Sequence, residues 1–310
     1  MERQTVHFGI CLQQLSWEPI RERAQLAERL GYHSVWLIDH FVGGAQRLQE
    51  MPECIATLGA LAMTTDRIRI GSLVIGNSYR NPALLAKSLA TLDSISHGRL
   101  EVGIGSGWFE ADYDAYGYPF EPIGVRLEKL DESIQILKLM LANENASFIG
   151  KHYTIRNAPN VPRAVQRPHP PITIAGVGEK VMLKIVARHA DRWNFVGVKE
   201  PERKIDVICR HCRDAGRDPG EIDLTEQLVV AVTRTESEAR KRFEMWMKGS
   251  LPEPLLACSI IGTPDQVIRQ FRERVAKGIR MFMLVLGAPG DCGAPEDLEL
   301  FGREVMPAFA

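Results

Sequence analysis

Arg99-Leu100-Glu101-Val102-Gly103-Ile104-Gly105-Ser106-Gly107-Trp108 alternates like a strand and then runs through three glycines into a tryptophan. Glycine carries no Cβ, so the end of such a strand lets a flat ring or a phosphate approach the backbone, whose amides can donate to an anion. The same succession of apolar strand, glycines and helix recurs at Pro171-Ile172-Thr173-Ile174-Ala175-Gly176-Val177-Gly178-Glu179-Lys180. Two glycine-tipped strands point to one shared ligand.

Outward from these runs the chain alternates strand and helix. Val6 to Leu12 reads as a strand, and Ile20 to Leu30 has helical spacing that stops at Gly31, the residue type that ends helices. Val35 to Ile38 precedes a helix over Cys54 to Thr64, and Ile68 to Val74 precedes one opened by Pro82 and closed by His97-Gly98. After Leu100 to Ile104, the residues Leu127, Leu130, Ile134, Leu137 and Leu141 mark one apolar helix face. Ile172 to Ala175, Trp193 to Val196, Leu224 to Ala231 and Met281 to Leu286 are the remaining strands, with a helix after Pro264. Eight such units predict an α/β fold, a closed (β/α)8 TIM barrel in a single domain over 1–310. Pro252 to Gly262 has no clear period.

Phe41 to Pro52 and Gly107 to Gly124 follow strands and lack helical signal, so they are read as walls of the site. Residues 145–171 form an inserted segment, with a hairpin over Phe148 to Ile155 around Gly150-Lys151 and an extended connector over Val165 to Pro171.

The 310 residues are 45% hydrophobic and 25% charged, with a formal net charge of -1. That composition fits a globular core and offers no basic field for nucleic acid or an anionic membrane surface. The first residues lack a signal-peptide layout and no apolar run approaches membrane-spanning length, so a cytoplasmic protein is expected. The six cysteines are spread through the chain and are expected to be reduced thiols. Cys209-Arg210-His211-Cys212 has no second ligand pair, and a structural zinc needs four ligands, so no metal is expected.

Strand alternation turns Arg69 and Glu101 into the barrel near its N-terminal end, where an ion pair is expected. At the opposite, catalytic face stands Asp39-His40-Phe41, a carboxylate beside an imidazole. His40 is either a solvated loop residue or a group that holds a proton beside a cofactor. Asn77 and Asn81 read locally as turn or capping residues.

The chain resembles the luciferase-like monooxygenase superfamily of flavin and deazaflavin enzymes. The resemblance rests on Gly31 to Trp36, Asp39-His40-Phe41, Gly76 to Lys87, Leu92 to Arg99, Gly105-Ser106-Gly107-Trp108, Arg167 to Pro171 and Ile261-Gly262-Thr263-Pro264, in family order. It implies a barrel with the cofactor ring across the C-terminal strand ends, and a non-proline cis peptide at Leu73-Val74. Asp39-His40-Phe41 together with Gly107-Trp108-Phe109-Glu110 is most similar to the branch that uses the deazaflavin coenzyme F420. F420-dependent glucose-6-phosphate dehydrogenases carry an acidic residue where this chain has Trp108, which speaks against a sugar-phosphate substrate.

The reading is therefore an F420-dependent oxidoreductase that passes a hydride between F420 and a small organic substrate. Its alternatives are an FMN-dependent monooxygenase using reduced flavin and O2 from a separate reductase, and a non-catalytic flavin-binding protein. His40 is the expected proton donor, and Asp39 either orients it or hydrogen-bonds the cofactor. Asp39, His40, Leu73, Val74, Asn77, Gly105, Ser106, Gly107, Trp108, Ala175, Gly176, Val177 and Gly178 are expected to bind the cofactor. The amides near Gly105 to Gly107 and, at a helix start, Gly176 to Gly178 would hold its phosphate. Trp108 and Tyr113 shape the substrate side, and a homodimer is expected.

Overall fold

Buried Ile20, Ala24 and Ala27 lie on one face of helix α1 (Trp17–Leu30), and that face needs a sheet to cover it. Gly31 stops the helix in the left-handed conformation, with φ 83°. The computed structural model describes residues 5–43, 50–247, 256, 258–287 and 292–310. In these, β1 (His7–Leu12), α1, β2 (Ser34–Leu37), α2 (Cys54–Thr64) and β3 (Arg69–Ser72) follow in turn. The short β4 (Ile75–Gly76) then leads to α3 (Pro82–Ile95) and β5 (Leu100–Gly105).

The middle of the chain holds α4 (Glu110–Tyr116), α5 (Ile123–Ala142), β6 (Asn145–Ile149), β7 (Thr154–Pro159) and β8 (Ile172–Ala175). It continues with α6 (Met182–His189), β9 (Arg192–Val196), α7 (Pro201–Asp214), β10 (Asp223–Val232) and α8 (Glu236–Met247). The described chain ends with β11 (Ile260–Gly262), α9 (Pro264–Ala276), β12 (Met281–Leu286) and α10 (Pro295–Glu304).

The sheet runs β1-β2-β3-β5-β8-β9-β10-β12, and β12 returns to β1 with His7 opposite Met281 and Ile10 opposite Leu284. All pairings are parallel, so the expected eight-stranded barrel is closed. β4 and β11 are spurs on β5 and β10, and β11 is the structure at the end of the stretch that had no clear period. The strand expected over Ile68 to Val74 is interrupted after Ser72 and resumes at Ile75. Leu127, Leu130, Ile134, Leu137 and Leu141 on α5 are all buried, as their spacing predicts. Between α5 and β8 the antiparallel pair β6–β7 forms a hairpin, with Phe148 opposite Ile155. Pro252, like most of the stretch to Leu256, lies outside the described residues.

The N-terminal end of the barrel is plugged by charge. Fully buried Glu101 takes Arg69 on one oxygen, as the alternation predicts, and Arg192 on the other. Beside this cluster lie His7 and His33, whose rings are 4.2 Å apart, and Asp223 faces Arg192 from β10 at 3.6 Å. Burial, then the neighbouring His7 ring and the two guanidiniums, push His33 down from 6.5 to about 3, and burial with Arg192 lowers His7 against the opposing pull of Asp223 and Glu101.

Between pH 6.5 and about 3 the unfolded chain binds a proton at His33 that the folded chain refuses, so stability falls as pH is lowered through that window. Each unit of separation is worth about 1.4 kcal/mol, so unfolding free energy should drop by roughly 1–2 kcal/mol between about pH 7 and 5 from this residue. Denaturant titrations at the two pH values should show a smaller drop in His33→Gln. An identical drop in both proteins would remove His33 as its source.

Candidate active site

The C-terminal strand ends surround a cavity of about 500 Å³. Its floor is set where β3 breaks. The Leu73–Val74 peptide is cis, at the position the resemblance implies, and it carries Val74 against β5. A Cβ on Gly103 would stand 2.0 Å from the Ser72 carbonyl oxygen, and one on Gly105 would meet a Val74 methyl at 2.9 Å. These two glycines therefore admit the neighbouring chain first, where the sequence reading had them admit only a ligand. Gly107, at φ 76°, similarly makes room for the Tyr113 hydroxyl, 1.9 Å from where a Cβ would be.

Asp39 and His40 leave the end of β2 as neighbours but have different partners. Buried Asp39 accepts two hydrogen bonds from Arg80, at 2.6 and 2.9 Å, and one from the Gly76 amide at 3.0 Å. Arg80 also pairs with Glu53, and the two carboxylates hold the guanidinium well above its ordinary range. Asp39 thus pins the β4 turn to α2. The carboxylate on the His40 ring is instead Asp112 of α4, whose Oδ2 lies 2.6 Å from Nδ1. The other oxygen of Asp112 accepts from the amides of Phe41 and Val42 at 2.9 and 3.0 Å. The Tyr79 hydroxyl donates to Oδ2 at 3.2 Å, and burial together with Asp112 holds that phenol un-ionised.

Asp39, His40, Leu73, Val74, Gly105, Ser106, Gly107, Trp108, Ala175, Gly176, Val177 and Gly178 all line the cavity. Trp108 stands at its mouth, 73% exposed, with its ring edge-on to His40 at 5.6 Å. Two expected residues are elsewhere. Tyr113 is fully buried beneath Gly107, packed on Tyr79 and Phe120, so it supports the wall without facing the cavity. Asn77 is buried in the turn Asn77–Tyr79 and is not among the lining residues. Gly178 does not open a helix, because α6 begins only at Met182. The wall over Gly107 to Gly124 contains α4, too short and too mixed in polarity for a helical period to register.

The structure adds residues that the sequence reading missed. Arg126 lines the cavity, donates to the Gly107 and Ser106 carbonyls and to Glu121, and lies 4.2 Å over the Phe120 ring. A signal for it existed, since a charged residue four places before Leu130 lies on the buried stripe of α5. Met182, Asn194, Phe195, Val196 and Gln227 add to the lining from α6, β9 and β10.

Residues 4–256 match the model of the luciferase-like monooxygenase family. The chain belongs to that family. This luciferase-like protein is 26% identical to an F420-dependent glucose-6-phosphate dehydrogenase of Amycolatopsis mediterranei, over 79% of this chain and 74% of the relative. It is also 26% identical to an FMNH(2)-dependent dimethylsulfone monooxygenase of Pseudomonas putida, over 95% and 89%. A 5,10-methylenetetrahydromethanopterin reductase of Methanolobus tindarius is 28% identical over 81% and 70%. The solved coenzyme F420-dependent tetrahydromethanopterin reductase of Methanopyrus kandleri superposes with a TM-score of 0.82 at 23% identity, covering 99% of this chain and 100% of that one. An F420-dependent secondary alcohol dehydrogenase superposes at 0.85 with 20% identity, over 99% of each chain, which establishes a shared fold.

The two β5 glycines make separable predictions. Gly103→Ala sets a methyl against a backbone oxygen that cannot yield, and should lose about 3 kcal/mol or more of unfolding free energy in denaturant titration. Gly105→Ala meets a side-chain methyl of Val74, which gives by a small χ1 shift where the Ser72 carbonyl cannot, and should lose about 1 kcal/mol. Equal losses would show that the interruption of β3 does not govern these positions.

Proposed function

We propose that the protein is an oxidoreductase that transfers a hydride between coenzyme F420 and a small organic substrate, with His40 handling the accompanying proton. The observation that carries this reading is the imidazole at the cavity wall. With Nδ1 taken by Asp112, Nε2 is the nitrogen left for a ligand. Hydride transfer to a polarised double bond needs such a proton donor, and the reverse reaction needs the same group as a base.

The lining suits a flat ring with an anionic tail. Leu73, Val74, Leu127, Met182 and Phe195 are apolar walls, and Gly105 and Gly176 bring bare backbone to the surface. The Arg126 guanidinium has carbonyls and a ring for neighbours and no carboxylate among its described partners, so its charge is available to a phosphate. A deazaflavin held there supplies hydride chemistry, because carbon replaces the central nitrogen of a flavin. The protein's own residues bind and orient it, shield it with Trp108, and move the proton at His40 Nε2. Curated relatives whose names specify F420, one of them 26% identical, support the cofactor part of this reading.

Fluorescence titration tests the cofactor. F420 should bind at micromolar concentration or tighter, more tightly than FMN, and more weakly as salt is raised. FMN binding at least as tight, with oxygen consumed on reduction of the complex, would replace this reading with a reduced-flavin monooxygenase. His40→Ala should lower turnover about 10²-fold, on a substrate found by screening for oxidation of reduced F420, while F420 affinity changes little. Undiminished turnover would leave His40 a structural residue of the wall, held by Asp112, with no part in proton transfer.

A further inference from the structure

We infer that Asp112 is a positioning residue that fixes the tautomer of His40, and that it does so because every acceptor site on its carboxylate is already assigned. This rests on the reading of His40 as the proton-transfer group. Asp112 is fully buried, and four donors converge on it: the Phe41 and Val42 amides on Oδ1, and His40 Nδ1 and the Tyr79 hydroxyl on Oδ2. A carboxylate in this setting only accepts. Nδ1 must therefore carry a hydrogen, which leaves Nε2 bare in the neutral ring. The cavity thus meets a base that becomes a donor on taking one proton, at one defined atom.

Asp112→Asn tests the assignment because the orientation of the new amide is dictated. The Phe41 and Val42 amides can only donate, so the Asn oxygen must face them and its NH₂ must face His40. Two donors cannot meet, so the imidazole has to move its hydrogen to Nε2. The variant keeps the shape of the site and inverts the tautomer. Turnover should fall at least about tenfold, because Nε2 can no longer take up the proton that the ring must then donate to the substrate, nor accept one in the reverse direction. The double variant Asp112→Asn/His40→Ala should be no slower than His40→Ala alone, since Asp112 acts through the ring.

The decisive readout is ¹⁵N NMR of the neutral His40 ring in the cofactor-free protein. Wild type should show Nδ1–H with a bare Nε2, and Asp112→Asn the reverse. Tyr79→Phe, which removes one donor and leaves the carboxylate in place, should keep the wild-type tautomer. Nε2–H in wild type would overturn the inference without any variant having to fold, as would an unchanged tautomer in Asp112→Asn. These spectra need neither F420 nor substrate. An inverted tautomer with no F420 binding would sink the proposed function and leave the Asp112 assignment standing.

Discussion

Everything in this molecule hangs on closing a parallel sheet. Parallel strands joined by helices are buried on both faces, and an open edge would leave a row of unpaired amides and carbonyls with nothing to cover them. The pairing of His7 to Ile10 with Met281 to Leu284 removes that edge by joining the first strand to the last. Closure has two consequences. It places residues from opposite ends of the chain in one wall, and it makes the two ends of the barrel chemically distinct.

The N-terminal end is filled, and the filling is electrostatic. Glu101 between Arg69 and Arg192 satisfies inward-pointing charges that the strand alternation forces to meet. The C-terminal end stays open because glycines, the interruption of the third strand after Ser72 and the loop bearing Trp108 keep side chains from closing over it. Rigidity there comes from two more buried carboxylates. Asp39 ties the β4 turn to Arg80, and Asp112 ties α4 to the loop after β2, so the imidazole between them is held by elements far apart in the chain.

Much of this was legible in the residues. The eight barrel strands, the stop at Gly31, the buried stripe on α5, the inward pairing of Arg69 with Glu101 and most of the cavity lining follow from period, turn chemistry and the family resemblance. The residues found elsewhere share one cause. Asn77 and Tyr113 come from the family resemblance and from the loops they sit in, neither of which says which way a side chain points, and Asp39, offered as orienting His40 or binding the cofactor, turns to Arg80 because neighbours at a strand end point in different directions. Tyr113 follows Asp112 in α4, yet it packs beneath Gly107 while Asp112 reaches His40.

The sequence by itself determined what is periodic and local: which segments are strands or helices, which faces are apolar, and where a side chain is missing so that something can come near. Only the tertiary structure decided what comes near. Gly103 and Gly105 announced a close approach, but folding was needed to show that the neighbouring strand makes it before any ligand does. Asp112 stands 72 residues from His40, and no spacing or composition links them. Hydrogen bonding is directional and reaches about 3 Å, so its partners are set by where the closed barrel brings two chain segments together, a property of the whole fold and of no single stretch.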